Sequence, residues 1–484
     1  MSSELTAFFA KLSITNAGFF VFVLAVFVIY YLVPKKAQGA ILLAASLAFC
    51  LSWDWSFAVI LAAFSLLNYF LALRIDASRD KARSRWLLAG VALNVGALLF
   101  YKYFDQSQGL FFKALFRVGL TSTQWDLRIL QPIGVSFYVL QAISYLVDVF
   151  RRQIPVNRNL LEVSLYLAYF PKLLAGPIER AQVFFDQLRA DCVVDNQQVI
   201  DSLLKIFVGL SRKILISDTL LQTIPKGVFA NPSAYSVLDL LFWWFAFGLM
   251  IYNDFAGYTG IARGVSGLFG IKLSPNFEQP FFSTGFMDFW NRWHMSLSNW
   301  LRDYVYLPVS RAMLRRNPSG HYLPNLIVPP LVTMLVSGIW HGAALHFIVW
   351  GLLNGALQAW ERVQRSRRKM AAPPFTHWAV IGTLFLLLLF NVPFKLDLPA
   401  ALDFWGGLFR WGSIQTFVLA TTIKPFFVIA LSFYLDLQHL PTRDETGLLR
   451  LPKATQVFLL AAGLFLLFLA TRQQIAAPFI YQEF

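Results

Sequence analysis

What most restricts this chain is a series of apolar stretches, each close to bilayer length, separated by short loops rich in lysine and arginine. A hydrocarbon core about 30 Å thick needs roughly 20 apolar helical residues to cross it. Against that length roughly a dozen stretches qualify, near residues 17–34, 39–52, 56–73, 87–103, 130–150, 198–222, 236–253, 323–340, 343–361, 375–394, 414–435 and 454–471. The loops test the count, because basic residues should collect on alternate sides. Lys35 and Lys36, Arg74 to Arg85, Arg151 and Arg152, Arg311 to Arg316, and Arg362 to Lys369 all fall on one side, which places both termini on the other. The expected fold is an all-α polytopic membrane protein.

Composition agrees. Of 484 residues, 57% are hydrophobic and only 14% charged, where a soluble domain carries about 25% charged residues. The net charge of +15 lies in the loops, so anionic lipid headgroups account for it and nucleic acid is not expected as a partner. Cys50 and Cys192 are far apart and lack metal-site spacing, so neither a disulfide framework nor a metal is expected. The first apolar core, Ala17 to Val33, is followed by Lys35 and Lys36, the reverse of a cleaved signal peptide, and reads as a retained span. No internal repeat interrupts the pattern. The whole chain, 1–484, is expected to form one integral domain, with N-terminal helices over about 1–155, a catalytic core over about 156–365 and C-terminal helices over about 366–484.

Three segments do not fit as simple spans: Gln108 to Leu120, Leu160 to Pro177, and Tyr258 to Trp300. Irregular backbone at membrane depth must be buried in protein or line a wet cavity, so re-entrant elements and a site are expected there. Within the third segment, Asp288 to Tyr304 predicts an amphipathic interfacial helix. Trp290, Trp293, Leu297, Trp300, Leu301 and Tyr304 share one stripe, and Asn291, Arg292, Ser296, Asn299, Arg302 and Asp303 the other. His294 falls on the stripe's edge and should point inward; a site role and a helix-fixing role both fit. Asp288 and Arg292 have the spacing of a stabilising ion pair.

Ser337 to Ala343 places His341 between Gly338 and Gly342 at a junction of two apolar helices. A titratable imidazole in such a position is costly and points to function. With an ordinary pKa near 6.5 it can take a proton from a hydroxyl that attacks a thioester carbonyl, and the glycines would let substrates approach the ring. The plainer alternative is a helix-capping histidine in a packed hairpin. His346 stands five residues on, a poor spacing for a shared metal. Asp254 ends an apolar run and either orients a histidine or neutralises an arginine such as Arg263. The prolines around Lys172 suit a re-entrant turn, with the lysine free to snorkel, and Lys424-Pro425 marks a kink.

Together, Tyr169 to Pro177, Tyr252 to Pro280, Phe289 to Tyr306 and Gly338 to Gly342 resemble the membrane-bound O-acyltransferases, in particular the bacterial branch that acetylates alginate or transfers D-alanine to teichoic acid. The resemblance implies spans plus re-entrant and interfacial helices around a transmembrane tunnel, with the catalytic histidines matched by His341 in the tunnel and His294 near its inner mouth. Candidates for lining the donor site or tunnel are Trp340, Gly342, Asn291, Arg292, Ser298, Arg302, Asp303 and Asp254. No bound cofactor is implied. The donor would be a cytoplasmic acyl thioester, acetyl-CoA or an acyl carrier protein, and the acceptor a hydroxyl of a cell-envelope or exported polysaccharide. An extracellular or periplasmic acetyltransferase partner would complete the transfer, and the location would be the bacterial cytoplasmic membrane. The His294 segment looks like the D-alanyl branch, whereas the chain length and Ala477 to Tyr481 look like the alginate branch, which is favoured. A polytopic transporter is the alternative from another class, although no inverted repeat supports it.

Overall fold

The computed structural model describes residues 11–118, 130–191, 195–368, 376–409, 419–439 and 445–472, and among these there is helix and no strand. Cys192, both termini including Ala477 to Tyr481, Lys369, and the ends of the Gln108 to Leu120 and 414–435 stretches lie outside the described residues. The chain divides into two compact units, Met1–Val199 with Val265–Leu273, and Ile200–Gly264 with Ser274–Phe484.

In the first unit, α1 (Ala17–Leu32), α2 (Lys35–Leu51), α3 (Trp55–Ala77), α4 (Asp80–Arg117) and α5 (Val135–Phe150) follow the apolar stretches. Short polar residues start them: Asn16 and Asp54 accept backbone N–H groups of Phe19 and Ser56, each at 2.8 Å, as N-caps do. Helix α4 continues to Arg117, so much of Gln108 to Leu120 extends a regular helix rather than forming a re-entrant element. The Leu160 to Pro177 stretch does break, into α6 (Leu160–Ala168) and α7 (Phe170–Leu173), followed by α8 (Ala181–Arg189). Lys172 does not snorkel. It is 1% exposed, donates to Gln141 Oε1 and, at 2.6 Å, to the Tyr166 carbonyl, and lies over the Tyr166 and Phe184 rings.

Next come α9 (Asn196–Leu210), a π-helix (Ser211–Asp218), α10 (Thr219–Thr223), α11 (Gly227–Ala230) and α12 (Val237–Leu268). Helix α12 takes in Tyr258 to Leu268, so the irregular backbone begins about ten residues later than its Gly content suggests. After it come α13 (Phe286–Arg292), α14 (Met295–Leu301), a π-helix (Arg302–Tyr306), α15 (Leu307–Arg316), α16 (Leu323–His341), α17 (Leu345–Arg368), α18 (His377–Phe390), α19 (Val392–Lys395), α20 (Leu398–Gly407), α21 (Leu419–His439) and α22 (Lys453–Arg472). Lys424-Pro425 lies inside α21.

Six helices among the described residues are long and apolar enough to cross a bilayer: Trp55–Ala77, Asp80–Phe104, Val237–Leu268, Leu323–His341, His377–Lys395 and Lys453–Ala470. Their outward faces carry large apolar side chains such as Phe458, 69% exposed, and Phe385, 51% exposed. Contiguous exposure of that kind suits hydrocarbon and not water, and the protein is a multi-pass membrane protein.

Charges buried in the second unit are paired, as the cost of desolvation requires. Arg212 donates to Asp436 at 2.5 Å and to Asn253 at 3.0 Å, and Tyr252 donates to the same Asp436 at 2.8 Å. Lys213 pairs with Asp218 and with Asp254, each at 2.7 Å. Asp254 thus pairs with a lysine that the sequence reading did not name, tying α12 to the π-helix beside it.

Candidate active site

The stretch Asp288 to Tyr304 is not one amphipathic helix. It breaks at Trp293 and His294, and His294 has φ 43° and ψ 51°, a left-handed conformation that costs a non-glycine residue about 1–2 kcal/mol. Tertiary contacts impose it. Asn276 accepts the Met295 N–H on its carbonyl at 2.9 Å and the Ser296 N–H on its side chain at 3.2 Å. The Ser298 hydroxyl donates to the Trp293 carbonyl at 3.1 Å, and the Glu278 N–H to that of Arg292 at 3.0 Å. Helical periodicity cannot foresee a break whose clamp lies on another segment.

The break drives the imidazole of His294 inward, to 1% exposure. Its ring meets Phe255 edge-on at 4.7 Å and Trp340 at 6.2 Å. Burial among these apolar groups pushes its pKa down, to about 3, so the ring is neutral at physiological pH.

His341 has a different setting. It is the last residue of α16, with the Gly342 N–H closing back on the Gly338 carbonyl at 3.2 Å. Three rings surround it, Trp340 at 4.8 Å, Trp350 at 5.2 Å and Phe394 at 5.1 Å, all near perpendicular. The neighbouring glycines do not open space for substrate. A Cβ on Gly338 would stand 2.3 Å from the Phe347 carbonyl oxygen, and one on Gly342 2.3 Å from the Phe347 ring. Their role is close packing of α16 on α17, shared by Gly351, whose Cβ would meet the Met334 carbonyl oxygen at 2.4 Å.

Both histidines line one cavity of about 90 Å³. Helices α13 and α14 and their junction contribute Phe289, Trp290, Trp293 and Leu297; α12 contributes Trp244, Phe247, Gly248 and Ile251; α18 contributes Leu384, Leu387 and Leu388; Phe281, Trp350, Asn391 and Phe394 complete it. No carboxylate is among these residues. The lining is apolar apart from the two imidazoles, Asn391 and the indole N–H groups.

The other sequence candidates lie off this cavity. Trp340 stands between the two histidine rings without lining it, and Gly342 packs on Phe347. Arg292 pairs with Asp288 at 2.9 Å as the spacing predicts, exposed Arg302 pairs with half-buried Asp303 at 2.9 Å on the second π-helix, and Asn291 is exposed. Ser298 fastens the break, and Asp254 belongs to the ion pair of α12. His346 holds the Pro393 carbonyl at 2.7 Å through Nδ1. Among the described residues there is no group of three or more His, Cys, Asp or Glu able to hold a metal. Sequence reasoning passed over Trp350, Asn391 and Phe394, which lie inside apolar stretches. It also missed Glu361, whose carboxylate accepts the Met287 N–H at 2.9 Å and so fixes the start of α13, favourably for a helix N-terminus.

Comparison with known proteins bears on what such a cavity does. Residues 93–391 match the model of the MBOAT, membrane-bound O-acyltransferase family. The chain is 31% identical to a Pseudomonas putida protein described as a probable alginate O-acetylase, across 97% of this chain and 99% of that one. A peptidoglycan O-acetyltransferase of Helicobacter pylori is 29% identical across 79% of this chain and 75% of its own length. A teichoic acid D-alanyltransferase of Bacillus subtilis is 29% identical across 51% of this chain and 64% of its own.

Proposed function

Because the chain belongs to the membrane-bound O-acyltransferase family and is an O-acyltransferase, we propose that it moves an acetyl group from a cytoplasmic thioester, acetyl-CoA or an acetylated carrier protein, across the bacterial cytoplasmic membrane toward hydroxyls of an exported or cell-envelope polysaccharide. The observation that carries this reading is the meeting of His294 and His341, from separate segments, in one small apolar cavity. In this reading some twelve spans set around a tunnel, with both termini outside, bring the donor to His341 from the basic, cytoplasmic side.

His341 is the general base. It takes the proton of the acceptor hydroxyl as that oxygen attacks the thioester carbonyl, and returns it to sulfur as the C–S bond breaks; a positioned base of this kind contributes roughly 10²- to 10⁴-fold in rate. His294, neutral through burial, offers one N–H to the carbonyl oxygen as negative charge develops there, the task of an oxyanion-hole donor. Arg302, exposed and paired with Asp303, and Arg292, paired with Asp288, would meet the donor's phosphates outside the cavity. A separate extracellular acetyltransferase would supply that hydroxyl and then pass the resulting ester on to the sugar.

D-alanyl transfer is the second reading, favoured by the teichoic acid relative. It fits the cavity less well: a D-alanyl ammonium would have no carboxylate among the lining residues, and an unpaired charge in an apolar cavity is costly.

The test uses protein reconstituted in vesicles, with radiolabelled acetyl-CoA, acetyl-carrier protein or D-alanyl-carrier protein enclosed on the donor side and polysaccharide outside with the separate transferase. Ester-linked label on the polymer from an acetyl donor is expected. Faster transfer from the D-alanyl donor would overturn the acetyl assignment.

A further inference from the structure

Trp350 lies on α17, 2% exposed, with its ring edge-to-face to His341 at 5.2 Å and to Trp290 at 5.9 Å. It touches both a catalytic candidate and the segment carrying the other. Its indole N–H donates to the side-chain oxygen of Asn391, the residue that ends α18. Asn391 is itself held on both sides. Its amide donates to the Leu387 carbonyl at 2.7 Å, and its oxygen also receives a long contact from Asn354 at 3.5 Å. Asn354, 1% exposed, donates to the Trp350 carbonyl at 3.1 Å. Two residues beyond Asn391, the Pro393 carbonyl is held by His346 Nδ1, which fixes α19 and with it Phe394, the third ring against His341 and a neighbour of Trp350 at 5.2 Å.

A half-buried polar side chain in an apolar wall needs a task, because its desolvation must be offset. Asn391 meets this by accepting the one polar group of Trp350. With that bond made, the indole cannot rotate, and its face and edge define where the His341 ring lies. We propose that Asn391 and Trp350 form a positioning pair that holds the imidazole of His341 in its reactive orientation, with Asn391 acting only through Trp350. The inference rests on the assignment of His341 as the base.

A misplacement of about 1 Å in a catalytic group costs up to about 10²-fold in rate while leaving binding elsewhere intact. Trp350→Phe keeps a ring and loses the N–H, and Asn391→Leu leaves the indole N–H without its acceptor. Each is expected to lower kcat about ten-fold with the donor KM within about two-fold, and the double variant to be no slower than the slower single one, since the two residues act as a unit. Asn391→Gln, which retains a neutral amide acceptor for the indole, is expected to recover most of the lost rate.

The assay follows acetyl transfer by vesicle-reconstituted protein from acetyl-CoA or acetyl-carrier protein, whichever the wild type turns over, with His341→Ala run alongside. Losses that multiply to about 100-fold in the double variant, a raised KM, or an unchanged kcat in Asn391→Leu overturn the positioning pair. If Asn391→Leu does not fold, Trp350→Phe and Asn391→Gln decide it, and an unchanged kcat in Trp350→Phe overturns it. Wild-type rates in His341→Ala would overturn the assignment of the base, and the pair with it; a dead His341→Ala with a fully active Asn391→Leu removes the pair alone.

Discussion

His294 and His341 share a cavity and reach it by opposite means. His341 ends a regular helix, packed on its neighbour through glycines, and its orientation is set by side chains. His294 sits on a strained left-handed turn between two short helices, and its orientation is set by backbone, through the Asn276 clamp. The difference teaches where each is vulnerable. Substitutions around His341 should disturb the ring or the helix pair, whereas those at His294 test whether the turn or the imidazole matters.

The largest contrast is expected from His294→Asn. Asparagine tolerates the left-handed conformation better than most residues, so folding should survive while transfer falls roughly 10²-fold, as when an oxyanion-hole donor is removed. Comparable transfer rates would make His294 a structural residue. Gly338→Ala should do the opposite: with the added Cβ 2.3 Å from a carbonyl oxygen, α16 must move from α17, at a cost on the order of 1–3 kcal/mol, read as a lowered unfolding temperature in detergent. An unchanged melting temperature would show that the hairpin yields easily.

A smaller effect separates the two imidazoles by pH. The pKa of His294 in the folded protein is about 3, below the roughly 6.5 of an unfolded chain, so between those values the unfolded state binds the extra proton. Its contribution to stability is therefore fully present above about pH 6.5 and declines as pH falls toward 3. Wild type should lose more unfolding temperature than His294→Asn between neutral and mildly acidic buffer, and equal losses would contradict the buried neutral ring. Least of all should Asp288→Asn matter. Its pair with Arg292 is partly exposed, and such pairs contribute about 0–1 kcal/mol; a larger drop in unfolding temperature would assign the pair a role in holding the turn.

The helices were readable because a bilayer imposes length and apolarity together: most of each of the twelve apolar stretches, where described, falls on helix. Both histidines were readable because an imidazole is conspicuous in apolar sequence. The surroundings were not. The turn at His294 depends on Asn276, and the packing of Gly338 and Gly342 on Phe347 becomes visible only once α16 meets α17. Asn391 reads as the end of an apolar span until Trp350 is placed against it, and the charge that holds Asp254 comes from a π-helix that periodicity does not announce.

The central claim is that His341 is the base, and single-turnover transfer from a labelled acetyl thioester measures it without interference from donor binding or product release. His341→Ala should bind donor as wild type does and transfer roughly 10²- to 10⁴-fold more slowly. Transfer at the wild-type single-turnover rate would contradict it.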